Sequence, residues 1–146
     1  MKVPSVRFGV LDVATSDMIR FPCGLLGMES LREWALLFDR NCDVVAWMQS
    51  VDRLEVAFAV VSPRFFVPDY EIRLPGSELE SLKVQKTDSL TVLTLVGKSE
   101  GTITLNLKAP LLINSEHRLG RQVVVASDLP IQYELGSTRP IAMKTA

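Results

Sequence analysis

The stretch from Leu54 to Tyr70, LEVAFAVVSPRFFVPDY, limits the fold more than any other part of the chain. Leu54, Val56, Phe58 and Val60 fall on one side of an extended chain, and Glu55, Ala57, Ala59 and Val61 on the other. That period of two predicts a strand. Its second face carries one charge, Glu55, and is otherwise small or β-branched, so the strand belongs inside a sheet covered on both faces. Ser62-Pro63 stops the ladder, because proline donates no hydrogen bond. Phe65 and Phe66 follow, then a second break at Val67-Pro68, then an alternating stretch from Asp69 to Leu74. A strand, an aromatic corner bounded by prolines and an extended return suit an all-β domain.

Composition narrows the function. The 146 residues suit one domain with its own core. Apolar residues make up 47% and charged residues 23%, with a net charge of -1, and Lys and Arg are scattered among acids. No basic stripe for nucleic acid results, and direct nucleic-acid binding is not expected. The longest apolar run, Val56 to Val61, is far too short to span a membrane. The opening MKVPSVRFG lacks the apolar segment of a signal peptide, so the expected location is cytoplasmic.

Short strands recur along the chain. Val6–Leu11 and Met18–Phe21 are candidates, joined by a polar turn over Asp12–Asp17. Phe21-Pro22-Cys23-Gly24-Leu25-Leu26-Gly27 predicts a tight irregular loop. Over Glu29–Phe38, Leu31, Trp34, Ala35 and Phe38 form a helical stripe, although Trp34–Phe38 also has the length of a strand. Val44–Ser50 predicts a strand that hairpins through Val51-Asp52-Arg53 into Leu54. Ser77 and Glu80 form a capping-box pattern for one short helix, about Glu78–Leu82. Leu90–Val96 is a strand, Gly97–Gly101 a loop, and Thr102–Lys108 a strand with Ile103, Leu105 and Leu107 inward. Pro110 bends the chain before Leu111–Asn114, Ser115–Gly120 forms a polar loop, and Arg121–Ala126 is a last strand. Many short strands with tight turns point to a sandwich or small barrel.

The residues offer little catalytic chemistry. The one histidine, His117, lies in a polar loop without a nucleophile or an orienting partner in any motif. Cys23 and Cys42 have no metal-ligand spacing and read as reduced, partly buried thiols. No metal, no cofactor and no enzymatic activity are expected. Protein binding remains. Arg64, Phe65, Phe66, Asp69 and Glu71 form the candidate partner-binding set, as aromatics and acids at a break in the sheet. Each has a plainer reading: the phenylalanines can plug one end of a barrel, and the acids can be a solvated surface.

Four blocks, in order, resemble the flagellar assembly factor FliW family. Phe21-Pro22 with Gly24 and Gly27 resembles its FPxGxxG loop. Trp47-Met48-Gln49-Ser50 resembles its W-hydrophobic-Q-S stretch. Ala57-Phe58 through Pro63 and Pro68-Asp69-Tyr70-Glu71 resemble its AF…P…PDYE block. Asn106-Leu107-Lys108-Ala109-Pro110 through Ile113-Asn114, then Gly120 and Gln122-Val123, resemble its NLKAP…IN…G.QV block. The chain departs from the pattern at Cys23, Leu26, Met28 and Ser62.

The resemblance implies an all-β, compact, mostly antiparallel β-barrel-like domain with one short helix over residues 1–135, and a flexible tail over 136–146. It also implies a strand at Arg32–Phe38, against the helical stripe. Implied partners are the translational regulator CsrA, whose repression of flagellin mRNA the protein would relieve, and flagellin itself. The alternative is a small barrel that holds a small ligand in its interior, which needs gaps among the inward residues.

Overall fold

The computed structural model describes residues 2–5, 9–38, 42, 44–74, 76–84 and 90–135. In chain order the strands are β1 (Lys2–Ser5), β2 (Gly9–Asp12), β3 (Met18–Arg20), β4 (Glu33–Phe38), β5 (Val45–Ser50) and β6 (Ala57–Val61). One helical turn, α1 (Pro63–Phe66), and a short helix, α2 (Gly76–Ser81), follow. Then come β7 (Leu90–Ser99), β8 (Thr102–Leu105), β9 (Leu111–Asn114), β10 (Leu119–Gln122) and β11 (Tyr133–Glu134).

The strand β6 lies between β5 and β7, as its two covered faces required. From there the sheet runs through β5, β4, β3, β10 and β9, and β9 pairs with β7. That pairing closes a ring of 7 strands. Strand pairs in the ring are antiparallel except β3 with β10, which meet in parallel at Arg20 and Leu119. Strands β8 and β11 extend from β7 outside the ring, and β1 and β2 form a separate ribbon.

Inside the ring, Phe21, Leu25, Trp34, Met48, Val60, Leu111 and Ile113 pack as one cluster. Three smaller clusters cover the outer wall. Val61 meets Tyr70, Leu105 and Leu107. Leu112 meets Leu82, Val123 and Val125. Ala35 meets Val3 and Val13 from the ribbon side. A wall covered on both faces explains why β9, LLIN, is buried at every position. It also explains why the apolar runs here are continuous rather than alternating.

Several expectations need correction. The strand expected from Leu54 starts at Ala57, because Val51–Glu55 form the turn. There Gln49 Nε2 donates to the Leu54 and Val56 carbonyls, and Ser50 Oγ accepts from the Arg53 N–H. The strand expected at Val6–Leu11 appears at Gly9–Asp12, and 6–8 fall outside the described residues. The Gly97–Gly101 loop is instead strand up to Ser99. Only Glu100 and Gly101 turn, with φ of 50° and 81°, the left-handed pair that suits a twisted hairpin. Thr104, expected outward, is buried, flanked within the sheet by Gly97 of β7 and Glu134 of β11. Arg121–Ala126 is not a full strand: β10 ends at Gln122. The short strands β1 and β11 carry too few residues to show a period. The expected helix is α2, but Ser77 lies within it rather than at its cap.

The ambiguous segment is a strand, as the family resemblance implied. Trp34 through Phe38 pair with β5, and Trp34 and Ala35 also pair with β3. Pairing along both edges overrides a local helical stripe. The tail expected over 136–146 lies outside the described residues.

Candidate partner-binding surface

The corner after β6 is built by its prolines. Ser62 is extended, with φ -74° and ψ 122°, and Pro63 follows at the first helical position. Proline is preorganised there and its missing N–H costs nothing. The Val67 N–H donates to the Pro63 carbonyl at 2.8 Å and the Tyr70 N–H to the Val67 carbonyl at 2.9 Å. The corner is therefore a helical turn followed by a second turn, not a strand continued. Residues 71–74 form no strand, yet the alternation survives in burial: Tyr70 is buried, Glu71 and Arg73 are exposed, and Ile72 and Leu74 are half-buried.

The five candidate residues divide by role. Phe65 is 62% exposed, whereas Phe66 packs against the cluster of Val61, Tyr70, Leu105 and Leu107. Their rings meet edge to face at 5.0 Å, so the half-buried ring supports the exposed one. Asp69 and Glu71 are exposed on either side of buried Tyr70. Arg64 is also exposed, but its Nε donates to the Tyr70 carbonyl at 2.8 Å, and it ties the corner together. Tyr70 anchors the return: its hydroxyl donates to the Leu107 carbonyl at 2.8 Å, and burial pushes its pKa up to about 12. The structure thus presents Phe65, Asp69 and Glu71 outward, while Phe66 is scaffold.

The motif residues are largely scaffold as well. A Cβ on Gly120 would run into the Phe21 ring inside the barrel. One on Gly24, at φ +66°, would lie 2.5 Å from the Glu29 backbone. Gln122 Oε1 accepts from the Leu26 N–H at 2.8 Å while its Nε2 donates to the Ala109 carbonyl at 3.0 Å. Asn106 Oδ1 accepts from the Ala109 N–H at 3.0 Å and shapes the bend before Pro110. Asn114 Nδ2 donates to the Leu82 carbonyl at 2.8 Å, tying the strand to the end of α2. These side chains close loops by pairing with backbone groups.

Other chemistry finds little support. Among the described residues no three His, Cys, Asp or Glu side chains gather as a metal-binding group. His117 is exposed in the turn before β10. Both cysteines are free, Cys23 exposed and Cys42 half-buried. Apolar side chains pack the barrel interior, and a cavity of about 180 Å³ lined in part by Ile19, Leu36, Leu93 and Ile113 is smaller than ordinary ligand sites. A larger groove of about 970 Å³ lies outside the ring, beside the corner.

Fold and surface define a class: a closed, mostly antiparallel seven-stranded barrel packed with apolar side chains, with a second apolar layer outside it and an aromatic and acidic corner. The family model for FliW protein matches residues 2–135. A flagellar assembly factor FliW of Bdellovibrio bacteriovorus is 35% identical over 127 residues, covering 86% of this chain and 73% of that one. One of Syntrophus aciditrophicus is 32% identical over 142 residues, covering 95% and 90%. A crystal structure of the flagellar assembly factor FliW superposes with a TM-score of 0.86 at 26% identity, covering 93% of this chain and 97% of that one. The chain belongs to the FliW family of flagellar assembly factors.

Proposed function

We propose that this protein acts by partner exchange in the cytoplasm: it binds CsrA, relieves repression of flagellin mRNA, and also binds flagellin. The observation that carries the reading is the corner, where Phe65, Asp69 and Glu71 stand exposed on a turn fixed from below by Tyr70 and Phe66. A rigid aromatic with two carboxylates beside it suits a basic, RNA-binding partner. Action by binding rather than catalysis fits a chain whose polar side chains mostly close its own loops.

Titration calorimetry with purified CsrA tests the reading. Binding is expected, weakening as salt rises because the opposed charges are exposed. In a gel shift the protein lowers CsrA's affinity for flagellin-leader RNA and does not bind that RNA alone. Absence of heat and of co-elution with CsrA would remove the reading.

A further inference from the structure

The strand β6 leaves the sheet early. It pairs with β7 at Val60–Leu95 and Val61–Thr94, and then Ser62-Pro63 turns the chain away into α1. The strand β7 extends past this point, with Leu90–Leu93 bonded to β9 along one edge. Along the edge that β6 has left, no described residue pairs with Leu90–Leu93. The chain returns over residues 71–74, which also pair with no strand among the described residues. Between these two lengths of backbone lies the groove of about 970 Å³. Ile72, Leu74, Leu90 and Val92 give it apolar walls, and Ser62 and Pro63 close the end from which β6 departs.

The groove therefore lies where β6 would have continued. A sheet edge with unpaired N–H and C=O groups is a template for another strand. Apolar walls on each side select side chains at alternate positions. The charges select further. Arg64, Glu71 and Arg73 are the charged residues that line the groove, two cations against one acid. The Arg64 Nε is already committed to the Tyr70 carbonyl, whereas Arg73 is exposed and makes no ion pair among the described residues. A guanidinium in that position favours a carboxylate.

We propose that this groove takes an extended segment of a partner protein as an added strand on β7, with apolar residues at alternate positions and a carboxylate directed at Arg73. The groove shares Glu71 with the acidic surface but selects an acidic segment where that surface suits a basic partner, and its test contains no CsrA, so either reading can fail alone.

Short random peptides displayed on phage, panned against the full chain, are the probe. Enriched peptides should alternate apolar residues and share an acid. A labelled synthetic copy should slow amide exchange within Leu90–Leu93. Arg73→Glu should weaken its binding about tenfold, the scale of one charge-assisted hydrogen bond, with an unchanged melting temperature. Failure to enrich any peptide, a consensus with helical spacing or without an acid, protection elsewhere, or unchanged affinity in the variant would each overturn the proposal. Dimerisation of the protein that blocks the peptide would do so too, by assigning the edge to a second copy.

Discussion

The Tyr70 hydroxyl and the Leu107 carbonyl meet at 2.8 Å, both buried, across 37 residues of chain. This one bond fastens the return from the aromatic corner to the chain just before the Pro110 bend. Its loss leaves a buried carbonyl unpaired, which costs more than the net worth of a hydrogen bond. Tyr70→Phe is expected to destabilise the protein by about 1–3 kcal/mol, read by denaturant unfolding. An unchanged midpoint would mean that water reaches the carbonyl.

The same residue sets a response to alkali. Burial raises the folded-state pKa of Tyr70 to about 12, above its ordinary value of 10.0, so folding favours the protonated phenol. Its contribution is complete below pH 10 and is lost as pH rises toward about 12, because the unfolded chain ionises first. The melting temperature should fall over that window, and fall less in Tyr70→Phe. Parallel curves for the two proteins would contradict this account.

Leu105 and Leu107 are 0% and 2% exposed in the cluster outside the barrel wall. Replacement of either by Ala should cost about 2–5 kcal/mol, as for other buried leucines. A change below about 0.5 kcal/mol would be the surface value and would place that face in solvent.

Gly120 and Phe21 are an interlocked pair, since the ring occupies the space that a Cβ on Gly120 would need. Gly120→Ala should destabilise by about 1–3 kcal/mol through overpacking. Phe21→Leu in the same chain should return part of that loss, so a double-mutant cycle should give a favourable coupling. Additive effects would show that the ring simply moves aside.

Legibility in the sequence followed how each residue is covered. The strand β5 and the buried run of β9 were readable because apolar side chains on covered walls leave a plain signal. The helical stripe of Glu29–Phe38 misled because Trp34 and Ala35 face opposite covers, the barrel core and the outer ribbon, so both are buried in a strand. Thr104 reads as a surface residue because β11, which flanks it in the sheet, is two residues long and leaves no pattern. At the corner, the prolines mark the break in the sequence, and the alternation around Tyr70 leaves Asp69 and Glu71 exposed. Arg64 could not be separated from a partner contact, because its bond to the Tyr70 carbonyl exists only once the turn is folded. The groove beside β7 had no sequence signal, since it is defined by where β6 leaves.

Asp69 and Glu71 flank Tyr70, and all three are fixed by one anchor: the buried phenol holds the segment, and its neighbours are left exposed. No hydrogen bond or ion pair within the described residues uses either carboxylate, so reversing both charges removes nothing that holds the fold. Asp69→Lys with Glu71→Lys is therefore expected to leave the melting temperature nearly unchanged, as for surface substitutions generally. Affinity for CsrA should fall strongly, because a reversed patch repels a basic partner and the long-range attraction is lost. Titration calorimetry at two salt concentrations separates the outcomes. Affinity equal to that of the parent protein would take this surface out of the interface, and a collapsed melting temperature would make the acids part of the fold.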